Sequence, residues 1–190
     1  MPNRPARYDA VSIWLHWSAA GLLIGGFMVA ENTSHRFVEA AGYGVHVSTG
    51  LALLALTAFR VYWRLSHAAP AYPANMKSKE KWAANSIKVL FYVLMVLIPL
   101  SGLAAHAVEF RSQGALFGVL PVPGVPVWLV PGDAEEIHEL ASHLWLPLLA
   151  IHVIAAIWHH FVRRDDVLTR MLPHRQQQAI FEQGKGGGTP

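Results

Sequence analysis

The chain has 190 residues, 53% of them hydrophobic and 14% charged, with a formal net charge of +3. That balance fits one small membrane-embedded domain, and the basic residues form no phosphate-gripping patch, which argues against nucleic-acid binding. Cysteine is absent while histidine occurs eleven times, which excludes disulfides, thiolate-held iron–sulfur clusters and covalent c-type haem.

The start, residues 1–9, is polar, and the apolar run behind it is too long for a signal core, so no cleavable signal peptide is expected. Four apolar runs follow, at about 11–30, 40–65, 87–108 and 138–162, each near the roughly 20 residues that span a bilayer. Backbone polar groups cannot stay unpaired in lipid, so each run is expected to be a helix. Pro99 and Pro147 fall inside the third and fourth runs as tolerable kinks. The expected architecture is an all-α membrane protein: a four-helix transmembrane bundle over residues 1–175, with a disordered tail at 176–190.

Arg4 and Arg7 precede the first run. Arg60, Arg64, Lys77, Lys79, Lys81 and Lys88 flank the second connection, and Arg163, Arg164, Arg170, Arg175 and Lys185 follow the fourth run. Only Arg36 and Arg111 oppose them, so the positive-inside rule puts both termini in the cytoplasm. Trp14, Trp17, Trp63, Trp82, Trp128 and Trp158 sit near the span ends as an interfacial belt would; Trp145 lies deeper.

Depth counting then sorts the histidines. His16 lies nine residues beyond Arg7, about 13 Å into the first helix, and His152 eleven residues before Arg163, about 16 Å from the same face. His46 opens the second helix and His138 the fourth, both at the opposite face. His138 and His152 are fourteen residues apart, roughly 21 Å along a helix. The pairs are therefore His16 with His152 and His46 with His138, two levels suited to two haems b, each with two axial imidazoles.

Small residues line the way: Gly42 and Gly50 share the His46 stripe, and Gly21 and Gly25 follow His16, although such glycines serve close helix packing equally well. Arg60 and Arg64 are candidates for haem propionates as well as for positive-inside anchoring. His159 shares the stripe of His138 and His152 and is the alternative ligand at the cytoplasmic level. His143 projects off that stripe, His160 suits the interface, and His35, His67 and His174 fall in connections. His106, beside Glu109 and Arg111, is either an interfacial polar residue or a contact for a quinol.

The motifs now assembled are Ser12-Ile-Trp-Leu-His16-Trp17, Val45-His46-Val47-Ser48-Thr49-Gly50, Ile98-Pro99-Leu100-Ser101-Gly102-Leu103, Ile137-His138-Glu139, Ile151-His152 and Trp158-His159-His160-Phe161. In this order and spacing, from about Arg7 to Pro173, the chain resembles the bacterial cytochrome b561 family and, more distantly, the cytochrome b subunits of nickel–iron hydrogenases. The resemblance implies bis-histidine b haems on His16, His46, His138 and His152. It also implies electron exchange with the quinone pool, typically ubiquinol oxidation, with superoxide as a donor in some members. The expected role is an oxidoreductase or electron-transfer protein of the bacterial inner membrane, in contact with lipid, ubiquinone or ubiquinol and a redox partner protein. The proline-rich stretch 118–131 has no family-typical feature; a cover over the outer haem is one reading.

Two other roles fit parts of the pattern. The chain could anchor a larger dehydrogenase or hydrogenase-type complex, although short connections offer no docking domain. A haem-free transition-metal transporter or sensor would also use histidine stripes. Against it stand the scarcity of acidic residues within the spans and the separation of the histidines into two distant levels.

Overall fold

The structure, a computed structural model, describes residues 7–32, 39–109, 115–116, 120–121 and 132–173. Four long helices dominate: α1 (Ala10–Asn32), α2 (Glu39–Ser66), α3 (Ser78–Glu109) and α4 (Ala134–Trp158). All four are long and apolar enough to cross a membrane. A π-turn over His159–Arg163 and a 3-10 turn over Thr169–Met171 follow α4. A two-rung antiparallel ladder, β1 (Ala115–Leu116) with β2 (Leu120–Pro121), lies between α3 and α4, pairing Leu116 with Leu120. It is an addition to the expected all-α architecture. The Pro-rich stretch, apart from this ladder strand, lies outside the described residues, as do Arg111 and the tail.

Local chemistry explains where the helices begin. α3 starts nine residues ahead of its apolar run because Ser78–Asn85 holds good helix formers and because the Glu80 carboxylate accepts the Lys77 backbone N–H at 2.8 Å, half of a capping box. Asp133 precedes α4, and Glu135 and Glu136 fill its first turn, where the helix dipole favours negative charge. α3 and α4 run on through Pro99 and Pro147.

Asp9 caps α1. Its carboxylate accepts the Ser12 backbone N–H and hydroxyl, both at 2.8 Å, and the Trp63 indole N–H from α2 at 3.1 Å. Partial burial raises the Asp9 pKa, but the hydrogen bonds from Ser12 and Trp63 outweigh it and hold the group below its ordinary 3.8. Asp9→Ala is expected to cost about 1 kcal/mol of stability. Because the folded-state pKa is the lower one, this contribution is fully present above pH 3.8 and disappears as pH falls through the folded value. Thermal melts of both proteins in detergent check it: the gap between them should close on acidification below that range.

The packing is asymmetric. α1 lies on α2, α2 on α3 and α3 on α4, whereas the backbones of α1 and α4 scarcely approach each other among the described residues. Side chains bridge that fourth side. Phe27 meets Trp145 edge to face, with ring centres 6.0 Å apart, in a cluster with Leu94, Ala141 and Leu148. Trp145 is thus core rather than belt. Buried hydroxyls of Ser48 and Thr57 donate to carbonyls one turn back in their own helix, which satisfies them without water. Outward-facing residues include Met28, Val89, Ile154 and Phe161, all exposed. A bundle with so thin a core and so apolar an exterior is suited to lipid, where burial of the outer face falls to acyl chains.

One end of the bundle gathers the start of α1, the α2–α3 connection and the C-terminal segment. The Trp17 indole donates to the Met171 carbonyl at 2.8 Å, and Arg163 to the Asn75 carbonyl at 3.1 Å and to Glu80 at 3.3 Å. Arg170 reaches the Ala71 carbonyl and pairs with Asp166 at 2.8 Å.

Candidate functional site

Two pairs of imidazoles face each other across the bundle. His16 of α1 and His152 of α4 have ring centres 6.1 Å apart with planes at 57°. His46 of α2 and His138 of α4 also stand 6.1 Å apart, with planes at 88°. A metal between two imidazole nitrogens, each about 2.0–2.1 Å away, requires ring centres about 6.3–6.5 Å apart once the ring radii are added. Both pairs come within a few tenths of an ångström of that spacing. Rotation of each ring about the nitrogen–metal axis leaves the spacing unchanged, so the different plane angles are equally compatible.

Backbone carbonyls orient the second pair. His46 Nδ1–H donates to the Gly26 carbonyl at 3.1 Å, and His138 Nδ1–H to the Ile98 carbonyl at 2.8 Å, with the Ser101 hydroxyl at 3.5 Å from the same nitrogen. A proton held on Nδ1 leaves the Nε2 lone pair for a metal and raises its basicity. Glycines make both contacts possible. A Cβ at Gly26 would stand 3.2 Å from the Thr49 methyl, so its absence lets α1 and α2 close up. A Cβ at Gly102 would stand 2.8 Å from His138 Cε1, inside contact distance. Gly21 and Gly25 meet nothing within 4 Å, and Gly50 lies in ordinary contact range of Pro99.

The first pair sits among larger groups. Phe91 of α3 meets His152 edge to face at 5.3 Å, and Trp17 meets His16 in the same way at 5.3 Å. Arg60 Nη2 lies 3.3 Å from His16 Nδ1, and the guanidinium stands 5.6 Å over the Tyr92 ring. Arg64, by contrast, is exposed at the end of α2.

His159 is buried, and its Nδ1 meets Asp165 Oδ2 at 2.6 Å, while Arg164 between them takes a left-handed φ of 52°. The π-turn that starts at His159 departs from the regular helix on which the seven-residue stripe depends. His159 itself keeps a helical backbone, and the turn that follows brings Asp165 back against its ring, whereas His152 faces His16. His143 is exposed and donates to its own helix at Glu139 O, and His67 stacks on Trp63 at 3.7 Å. The His106 side chain lies outside the described residues.

Among the described residues, no three His, Asp or Glu groups converge to hold a metal. Each pair supplies two nitrogens, fewer than the three or four protein ligands of ordinary zinc sites, and enough for a metal whose remaining positions a macrocycle fills.

Residues 7–174 match the family model described as prokaryotic cytochrome b561. The chain belongs to that family. It is 27% identical over 184 residues to cytochrome b561 homolog 2 of Escherichia coli K12, covering 90% of this chain and 93% of the relative. It is 28% identical over 176 residues to cytochrome b562 of Cereibacter sphaeroides, covering 88% and 96%. A third relative, probable superoxide oxidase CybB of Yersinia pestis, is 23% identical over 172 residues, covering 90% and 98%. Membership in the b561 family makes this a bacterial membrane haem protein of the electron-transfer kind.

Sequence reasoning had no access to several residues that shape the site: the carbonyls of Gly26 and Ile98, the ring of Phe91, and Asp165. A carbonyl carries no side-chain signature. The only legible hint was Gly102, a small residue three positions after Pro99.

Proposed function

We propose that this chain is a dihaem b-type cytochrome of the bacterial inner membrane that passes electrons between the quinone pool and a redox partner, with both termini in the cytoplasm. The observation that carries the reading is the pair of equal 6.1 Å imidazole separations. The chain's own residues divide the work. His16 and His152 hold one haem, and His46 and His138 the other. Gly26 and Ile98, through their carbonyls, fix the tautomer and orientation of the second pair. Arg60, beside His16, is placed to pair with a haem propionate. The bound haems supply reversible one-electron chemistry at iron, and the protein supplies ligation, burial and spacing.

Ubiquinol oxidation releases two electrons and two protons, so a proton acceptor is needed where the quinol docks. The buried His159–Asp165 pair, 2.6 Å apart at the end of α4, is the candidate for that task. The name of the Yersinia relative supports superoxide as a second donor, which would lose one electron to become dioxygen.

The test is a reduced-minus-oxidised optical spectrum of the purified protein, followed by rapid mixing of the oxidised form with ubiquinol-1 and, separately, with superoxide. A b-type α band that develops with ubiquinol is the expected result. No such band sinks the haem assignment, and a band that ubiquinol leaves unreduced sinks the quinol reading.

A further inference from the structure

The outer face of α3 carries polar chemistry that neither the ligand pairs nor the core uses. The Lys88 ammonium, which can only donate, meets the Tyr72 hydroxyl at 2.5 Å and lies 4.8 Å over the Tyr72 ring. The Tyr72 hydroxyl therefore passes its own proton on, to Asn85 Oδ1 at 2.6 Å. This directional chain fixes the Asn85 amide and leaves its two Nδ2–H donors on the arm away from Tyr72. Asn85 opens onto a shallow groove of about 430 Å³ lined by Trp82, Asn85, Ser86, Val89, Leu90 and Val93. The upper lining presents donors, from an indole, an amide and a hydroxyl, and the lower lining is purely aliphatic.

Charge around the groove has one sign. Lys79, Trp82 and Ser86 share a stripe at i, i+3 and i+7, which sets an exposed ammonium at the groove's polar end. Lys77, Lys81 and Lys88 flank it. The carboxylate in the first turn of α3, Glu80, is engaged by Arg163 at 3.3 Å. Trp82 is 74% exposed just ahead of the apolar run, where a membrane interface holds amphipathic rings.

We infer that this groove is a docking site for an anionic phospholipid, with its phosphate held by Lys79, Trp82, Asn85 and Ser86 and one acyl chain laid along Val89, Leu90 and Val93. The match is of two kinds at once: donors and positive charge for a phosphate, and an aliphatic floor for a chain. A zwitterionic lipid offers the same chain but carries its own cation, which the lysines repel.

Native mass spectrometry of the full chain in detergent tests it, with phosphatidylglycerol and phosphatidylcholine of identical acyl chains as probes. Phosphatidylglycerol is expected to bind about fivefold more tightly, an advantage that Lys79→Gln brings close to parity. Tyr72→Phe keeps every charge but frees the Asn85 amide, and it should lower the preference about threefold. Both substituted side chains lie outside the core, so both variants should retain the wild-type melting temperature. Equal binding of the two lipids would overturn the proposal, and so would an unchanged preference in Tyr72→Phe, which reports surface charge alone. Displacement of the lipid by ubiquinone-1 at equal concentration would overturn it in favour of a quinone.

Discussion

His138→Ala is expected to halve the haem content of the purified protein, read as pyridine haemochrome per chain. The argument rests on separation. His138 and His152 lie fourteen residues apart on α4, about 21 Å along its axis, and each faces its own partner, His46 and His16. Sites that far apart with no shared ligand respond independently. Loss of the His138 imidazole removes one of two nitrogens at its level and leaves His46 tied to the Gly26 carbonyl, whereas the His16–His152 level keeps both nitrogens, Phe91 and Arg60. His152→Ala should give the converse species, and the two half-loaded proteins should differ in α-band position. Two haems retained in His138→Ala would sink the assignment of this residue, and none retained would sink the independence of the levels.

Gly102→Ala is the second large effect, and its cause is steric. The added Cβ would stand 2.8 Å from His138 Cε1 and 2.9 Å from Nδ1. The ring belongs to a different helix and is held at 2.8 Å by the Ile98 carbonyl, so it must leave that carbonyl or α3 and α4 must part. Losing the partner that orients a metal-bound imidazole weakens ligation by about 10- to 100-fold, and overpacking a tight contact costs about 1–3 kcal/mol besides. Haem titration into the apoprotein should therefore show one weakened site and one unaffected. Gly21→Ala is the control, because nothing lies within 4 Å of the Cβ it would add. Two equally tight sites in Gly102→Ala would show that the imidazole does not need its carbonyl.

Much of the candidate site is legible in the chain because a bilayer turns sequence position into depth. A helix that crosses it rises about 1.5 Å per residue, so basic residues at the helix ends act as rulers, and the pairing of His16 with His152 follows from counting. Rotation about each helix axis is not legible in the same way. His138, His152 and His159 share one seven-residue stripe on an ideal helix, yet the structure closes a π-turn at His159 and brings Asp165 back against its ring. Asp165 lies beyond the apolar run, and in sequence it reads as one more solvated carboxylate. The glycines make the same point: the Gly21 and Gly25 spacing looks like a packing motif, but the close approach occurs at Gly26 and Gly102.

The sequence by itself determined the four apolar helices, the basic end shared by the start of α1, the α2–α3 connection and the segment after α4, and the two depths at which imidazoles meet. Those follow from hydropathy, charge and helical rise, each a property of one segment at a time. The tertiary structure alone decided which atoms meet: the carbonyls of Gly26 and Ile98 on His46 and His138, Arg60 on His16, and Trp145 with Phe27 across the open α1–α4 side. Such contacts depend on the relative rotation and offset of helices from distant parts of the chain. Ridges and grooves set those when whole faces pack together, and no local pattern encodes them.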